Sequence, residues 1–219
     1  MLKPEVLTFL SDLKENNNKE WFDANRKRYD AAKANFLLLV GDLISRISTF
    51  DKALTGLESK SCVFRINRDV RFSANKDPYK TAMGAYFTKG GKNSFNAGYY
   101  LHLEPGDKTF VAGGMWMPEA PKLKAIRQEI VYNSKAFHDI IENPAFLKHF
   151  KNLEGEKLKT APKDYPKDHP EIELLKHKSF IVSAKMKEAD VTKAGFSEQV
   201  ATLFSAIKPL NDFLNTAVE

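Results

Sequence analysis

The chain has 219 residues, 42% of them hydrophobic and 28% charged, which fits one globular domain with its own core and excludes a chain disordered throughout. Its net charge of +6, from 34 basic and 28 acidic side chains, favours anionic partners such as nucleic acid or a nucleotide, and serves solubility equally well. Cys62 is the only cysteine, which excludes an internal disulfide and a cysteine-rich zinc site and fits a reducing compartment.

At the N-terminus, Pro4 and Glu5 stand where a signal peptide needs an apolar run. The longest apolar run, Phe36 to Val40, is too short to cross a bilayer. The expectation is a soluble, cytoplasmic protein with no membrane partner. Val6, Leu7, Leu10 and Leu13 fall at helical spacing and predict a helix over 5–15. Asn18 is an N-cap for a second helix of about 30 residues, in which Phe22, Tyr29, Phe36 and Leu43 recur on one core-facing stripe, with a kink near Gly41.

Residues 62–72 alternate and predict a strand. Phe64, Ile66, Val70 and Phe72 share one face with Arg68 intruding; Arg65, Asn67, Asp69 and Arg71 share the other. Residues 82–87 predict a further strand. Residues 95–104 and 108–116 predict a β-hairpin, with Pro105 and Gly106 at the centre of a type II turn. Gly113 and Gly114 in its second strand mark a bulge or a close backbone approach. Leu123, Ile126 and Ile130 mark a helix after Pro121. Ser134 caps the next, and Pro144 starts a short one over 144–151. A basic, proline-rich loop runs from Lys157 to Pro170, followed by a helix at 171–176 and an edge strand at Phe180 to Val182. Thr192 caps a final helix, interrupted by Pro209. Helices, then strands, then helices predict an α+β fold: a mainly antiparallel sheet with helices packed on one face. The reading is a single domain over 1–219, with a helical segment 1–50, a strand-rich centre 60–117 and a helical part 118–219.

The arginines of the 62–72 segment carry the functional reading. On an extended backbone the polar face repeats at about 6.6 Å, so Arg65 and Arg71 with Asn67 between them suit a phosphate or carboxylate. Arg68, aimed at the apolar side, needs an anion or a carboxylate there, unless a β-bulge near Asp69 returns it to the polar face. Lys76, Tyr79 and Lys80 follow on a turn and add cations and a hydroxyl. These residues are not a phosphate-binding glycine loop, since neither GxxxxGK[ST] nor GxGxxG occurs. The competing reading is an arginine–carboxylate network that braces strand to helix through Asp12, Glu20 or Asp23.

Four stretches also resemble, together and in order, a bacterial family of uncharacterised proteins, domain-of-unknown-function family 2461. They are NNNKEWFDANRKRYD, FRINRDVRFSANKDPYKT, GYYLHLEPG with the following GGMWMPE, and APKDYPKDHPEIELLKHKSF. Asp164 stands where the family's loop is expected to carry glycine. The resemblance implies a shared fold and no particular activity.

Among the five histidines none pair as HExxH or HxH, and no metal site or cofactor is specified. His102 shares a strand face with Tyr100 and Glu104 and is the best general acid/base residue; Asp69 is the second proton-handling residue. Asp168 and His169 are adjacent and point apart. Lys157, Lys159, Lys163 and Lys167 with Tyr165 form either a flap over an anion or a solvated loop. Trp21 and Phe22 are read as core packing. The reading is a protein that binds a phosphate- or carboxylate-bearing small ligand through Arg65, Asn67, Arg68, Arg71, Lys76, Tyr79 and Lys80, with any catalysis resting on electrostatic stabilisation. The alternatives are a nucleic-acid-binding module and a non-catalytic partner-binding protein.

Overall fold

A computed structural model describes residues 1–219. Helix α1 (Pro4–Glu15) opens with Pro4 in its first turn and buries Val6, Leu7, Phe9, Leu10 and Leu13. Asn18 caps α2 (Lys19–Ala24): its Oδ1 accepts from the Trp21 amide at 2.9 Å. The expected 30-residue helix is two. Asn25 adopts φ −103° and ψ 17°, and its side-chain amide donates to the Trp21 carbonyl, so the chain turns before α3 (Arg26–Phe50) begins. No break occurs at Gly41, which lies inside α3 and leaves room for the Ser59 hydroxyl. The α3 stripe of Tyr29, Ala32, Phe36, Leu39, Val40, Leu43 and Ile47 is buried as its spacing requires.

A 3-10 turn, Lys52–Leu54, and α4 (Ser59–Cys62) lead into the arginine segment. This segment is not a strand. It pairs in isolated steps: Val63 with Ala85, and Asn67 with Tyr79. The Phe64 amide donates to the Gly84 carbonyl, the Lys80 amide to Ile66, and the Arg68 amide to Pro78. Pro78 has no amide to return a bond, and the ladder ends there. Residues 68–78 therefore close a loop, and Phe72 is 96% exposed instead of sharing a buried face with Ile66.

The sheet follows: β1 (Met83–Phe87), β2 (Gly98–Leu103), β3 (Phe110–Met115) and β4 (Phe180–Lys185), antiparallel, in the order β1-β2-β3-β4. The β2–β3 connection is longer than a simple turn. Gly106 takes φ 79°, as the third residue of a type II turn does, but Asp107 also takes φ 58°, and the Thr109 hydroxyl closes the loop onto the Glu104 carbonyl at 3.0 Å. At Gly114 (φ 112°) a Cβ would lie 2.0 Å from the Phe180 carbonyl oxygen, so only glycine lets β3 approach β4. Outside β4, the Glu154 amide donates to Ile181 and covers part of that edge.

The remaining helices are α5 (Ala120–Tyr132), α6 (Ser134–Ile141), α7 (Pro144–Leu147), α8 (Ile172–Leu175), α9 (Glu188–Val191) and α10 (Phe196–Thr216). Asn133, not Ser134, precedes α6; the Ser134 hydroxyl donates to Glu171 at 2.5 Å. The helix after Pro144 stops at Leu147. Thr192 closes α9 instead of starting α10, and Pro209 sits inside α10 without ending it. The architecture is α+β, and no helix is long and apolar enough to cross a membrane.

By internal packing the chain divides into two compact units, each assembled from separate stretches. One comprises Met1–Ser94, Tyr100–Val111 and Lys185–Thr202; its aromatic core joins Phe9, Phe22, Tyr29 and Tyr79. The other comprises Phe95–Tyr99, Ala112–Ala184 and Leu203–Glu219. There Tyr99 packs on Phe204 of α10, and Phe137 of α6 on Phe180 and Phe213.

Candidate functional site

The arginine segment and the turn after it form an arm whose base is held firmly. The Asn17 side chain makes a reciprocal pair with the main chain of Tyr79: its Nδ2 donates to the Tyr79 carbonyl and its Oδ1 accepts the Tyr79 amide, both at 3.0 Å. The Tyr79 ring lies on Phe22, centroids 4.0 Å apart and planes 13° apart. Tyr79, read as a hydrogen-bonding ligand residue, is thus a buried packing residue that anchors the arm.

The five cations of the arm divide by what holds them. Arg71 is held by Asp69 through two parallel contacts of 3.0 and 2.7 Å, which keep the exposed Asp69 carboxyl below its usual range. Asp69 therefore stays ionised and occupied, a poor proton carrier. Arg68 meets no carboxylate: Nη1 donates to the Asp77 carbonyl at 3.0 Å and Nη2 to the Ser73 hydroxyl at 3.3 Å. Lys76 donates to the Val70 carbonyl at 3.0 Å, and Lys80 to the Arg65 carbonyl at 3.0 Å. Arg65 is exposed; its carbonyl takes the Lys80 bond, while its guanidinium makes neither a hydrogen bond nor an ion pair. Asn67 is exposed at the last pairing step. Of the three acids expected to brace the arm, two are engaged elsewhere, Asp12 with Arg28 at 2.5 Å and Asp23 with Lys19 at 2.7 Å, and Glu20 forms no ion pair with the arm.

Lys80 is the most constrained cation. It is half-buried, and burial, with the neighbouring Arg65 charge adding to it, pulls its pKa below the usual lysine value. Its ammonium stands 5.7 Å from the centre of the Phe64 ring, and that ring meets Tyr100 edge-on at 6.2 Å. This contact brings the base of the arm to the face of β2 that carries Tyr100.

On that face three alternating β2 side chains form a hydrogen-bonded row. Tyr100 Oη lies 3.1 Å from His102 Nδ1, and His102 Nε2 lies 2.9 Å from Glu104 Oε2. The carboxylate accepts, which puts the neutral imidazole's proton on Nε2 and makes Nδ1 the acceptor of the Tyr100 hydroxyl. Lys108 closes the row, 3.5 Å from Glu104 Oε1. Phe110 of β3 stacks on the His102 ring at 4.7 Å and 19°. Burial, with Glu104 adding to it, pushes the Tyr100 phenol up to about 12, so it rests protonated. His102, the residue read as the acid or base, has both ring nitrogens engaged, and the hydroxyl of Tyr100 ends the row on the side of Gly84 and Phe64. Phe110 and Gly84 complete this arrangement and were not singled out by spacing. Their signal was register, since Phe110 lies across the hairpin from the β2 row.

The basic loop of the other unit offers less. Lys157 pairs with Glu173 at 3.7 Å, and Asp164 with Lys124 at 3.7 Å. His169 accepts the Glu171 amide on Nδ1 and forms no ion pair with Asp168. A shallow depression of about 220 Å³ lies against Lys124, Gln128, Val131, Tyr132, Asp164 and Tyr165. No three His, Cys, Asp or Glu side chains converge in a geometry that would hold a metal ion.

Fold and site together describe an α+β protein with a basic arm joined to a tyrosine–histidine–glutamate row on an antiparallel sheet. The chain belongs to the family of conserved hypothetical proteins DUF2461, whose model matches residues 5–213. No curated protein and no solved structure matches it.

Proposed function

We infer that the protein binds a phosphate- or carboxylate-bearing small ligand at the base of the arm. Arg65 and Lys80 are its cationic partners, and Arg68 adds positive potential. One observation carries the reading: the half-buried Lys80 ammonium lies in the field of the Arg65 guanidinium, neither forms an ion pair, and Asp69, the carboxylate whose field Arg65 reaches, is held by Arg71. A half-buried ammonium beside an unpaired guanidinium is a field that an anion relieves, and the charge-assisted bonds such an anion accepts are the strong ones. The Tyr100–His102–Glu104 row gives this site a route for protons. A proton taken up at Tyr100 Oη moves that hydroxyl's own proton to His102 Nδ1, and Glu104 stabilises the resulting imidazolium.

The test is thermal and calorimetric titration of the whole chain with inorganic phosphate, nucleotides, sugar phosphates and organic acids. The expected result is a melting temperature that rises with anion concentration, and loss of binding in Arg65→Gln/Lys80→Gln with the unliganded melting temperature nearly unchanged. Binding that survives the double variant, or no stabilisation by any of these anions, overturns the reading.

A further inference from the structure

The tip of the arm presents a feature that a small-ligand site at its base does not use. Phe72 is 96% exposed, and the Arg71 guanidinium lies 5.8 Å from its ring centre. The loop that carries it is braced from within. Arg68 and Lys76 donate to the loop's own carbonyls, Asn75 Nδ2 donates to the Asp77 carboxylate at 2.9 Å, and the Asp77 amide donates to Asn75 Oδ1 at 2.8 Å. Its root is fixed by Asn17 and by the Tyr79–Phe22 stack. The tied loop holds the ring in water, where its apolar area gains nothing from burial. Between Arg65 and Lys80 the chain carries five basic and two acidic side chains, so half of the protein's excess charge lies in this arm. Asp69, one of these two acids, is already neutralised by Arg71.

We propose that the arm is a docking finger for single-stranded nucleic acid, with Phe72 and the Arg71 guanidinium as the platform for a base and Arg65, Arg68 and Lys76 along the phosphate backbone. A flat ring beside a guanidinium, flanked by spaced cations, is the combination that stacks bases without reading sequence. An anionic membrane surface fits less well. Insertion would carry Asp69 and Asp77 toward like-charged headgroups, and the loop offers one ring instead of an apolar stripe. The proposal shares Arg65 and Arg68 with the small-anion site but rests on Phe72, so the two fail separately.

Fluorescence anisotropy of the full chain with a labelled oligothymidylate, over a series of salt concentrations, tests it. Three phosphate contacts predict a slope of log affinity against log salt of about −2. Phe72→Ala weakens binding at least about fivefold, and Phe72→Trp retains it. Phe72→Ala leaves the response to inorganic phosphate unchanged, which separates the finger from the site at its base. Absence of binding at low salt, or binding indifferent to Phe72→Ala, overturns the proposal. So does Phe72-dependent co-sedimentation with phosphatidylcholine–phosphatidylserine vesicles in the absence of oligonucleotide binding.

Discussion

Gly84 of β1 lies under the Tyr100 ring of β2: a Cβ at this glycine would come within 2.7 Å of the phenol oxygen. The missing side chain is what lets the ring lie across the neighbouring strand with its hydroxyl in reach of His102. Gly84→Ala is expected to leave the fold intact, because the atom it meets is the far end of a side chain. It should cost about 1–2 kcal/mol as the ring tilts, and should break the Tyr100–His102 bond. Urea unfolding gives the first quantity. The imidazole resonances of His102 report the second, and should shift toward those of Tyr100→Phe.

Gly114 stands in contrast. There the obstructing atom is the Phe180 carbonyl oxygen of the adjacent strand, 2.0 Å from an added Cβ, and φ is 112°. Neither backbone has room to yield. Gly114→Ala is expected to destabilise by more than about 3 kcal/mol, read as a large drop in the denaturation midpoint or as loss of soluble protein.

Asn17 holds the root of the arm through its two bonds to Tyr79. Asn17→Ala leaves a half-buried amide and carbonyl without these partners, which costs about 1–3 kcal/mol. The loss should be local first. Amide exchange at Tyr79 and Lys80 should quicken more than exchange in α10, and cleavage within residues 68–78 by a trace of protease should accelerate. Uniform quickening across the chain would contradict the anchoring role.

Two histidines give opposite pH dependences. His177 is buried; burial, reinforced by Lys157, lowers its pKa from 6.5 to about 4. Between those values the unfolded chain holds a proton that the folded chain does not, so stability falls as pH drops from about 6.5 to about 4, by at most roughly 3 kcal/mol. His138 is bracketed by Glu171 at 2.9 Å and Glu142 at 2.7 Å; those bonds, Glu171 first, raise its pKa above 6.5. Its contribution is fully present below pH 6.5 and fades as pH rises through the raised value. Denaturation midpoints over a pH series should lose the acid-side slope in His177→Gln and the neutral-side slope in His138→Gln.

Much of the fold was legible where one local rule sufficed. The α1 and α3 stripes, the Asn18 cap and the β2–β3 hairpin follow from spacing and capping, because helical and strand periodicities place side chains on faces before any distant partner is known. The failures share a cause. Ser134 and Thr192 are good cap residues by type, yet Ser134 found a better acceptor in Glu171, far along the chain. Residues 62–72 alternate like a strand, but alternation needs a partner edge, and the ladder stops at Pro78. In the site, the Tyr100–His102–Glu104 row was readable because i, i+2 spacing on one strand is local. Phe110, Gly84 and Phe64 were not, since each reaches the row from another strand or from the arm.

By itself, then, the sequence determined the identities and spacings: an α+β order of elements, a chain short of acids between Arg65 and Lys80, and three polar side chains on one side of β2. Only the tertiary structure decided which of those cations keep a carboxylate. Arg71 takes Asp69, whereas Arg65 and Lys80 have none. The physical reason is that ion pairing falls off over a few ångströms, and distance in space is set by how the loop closes, not by separation along the chain.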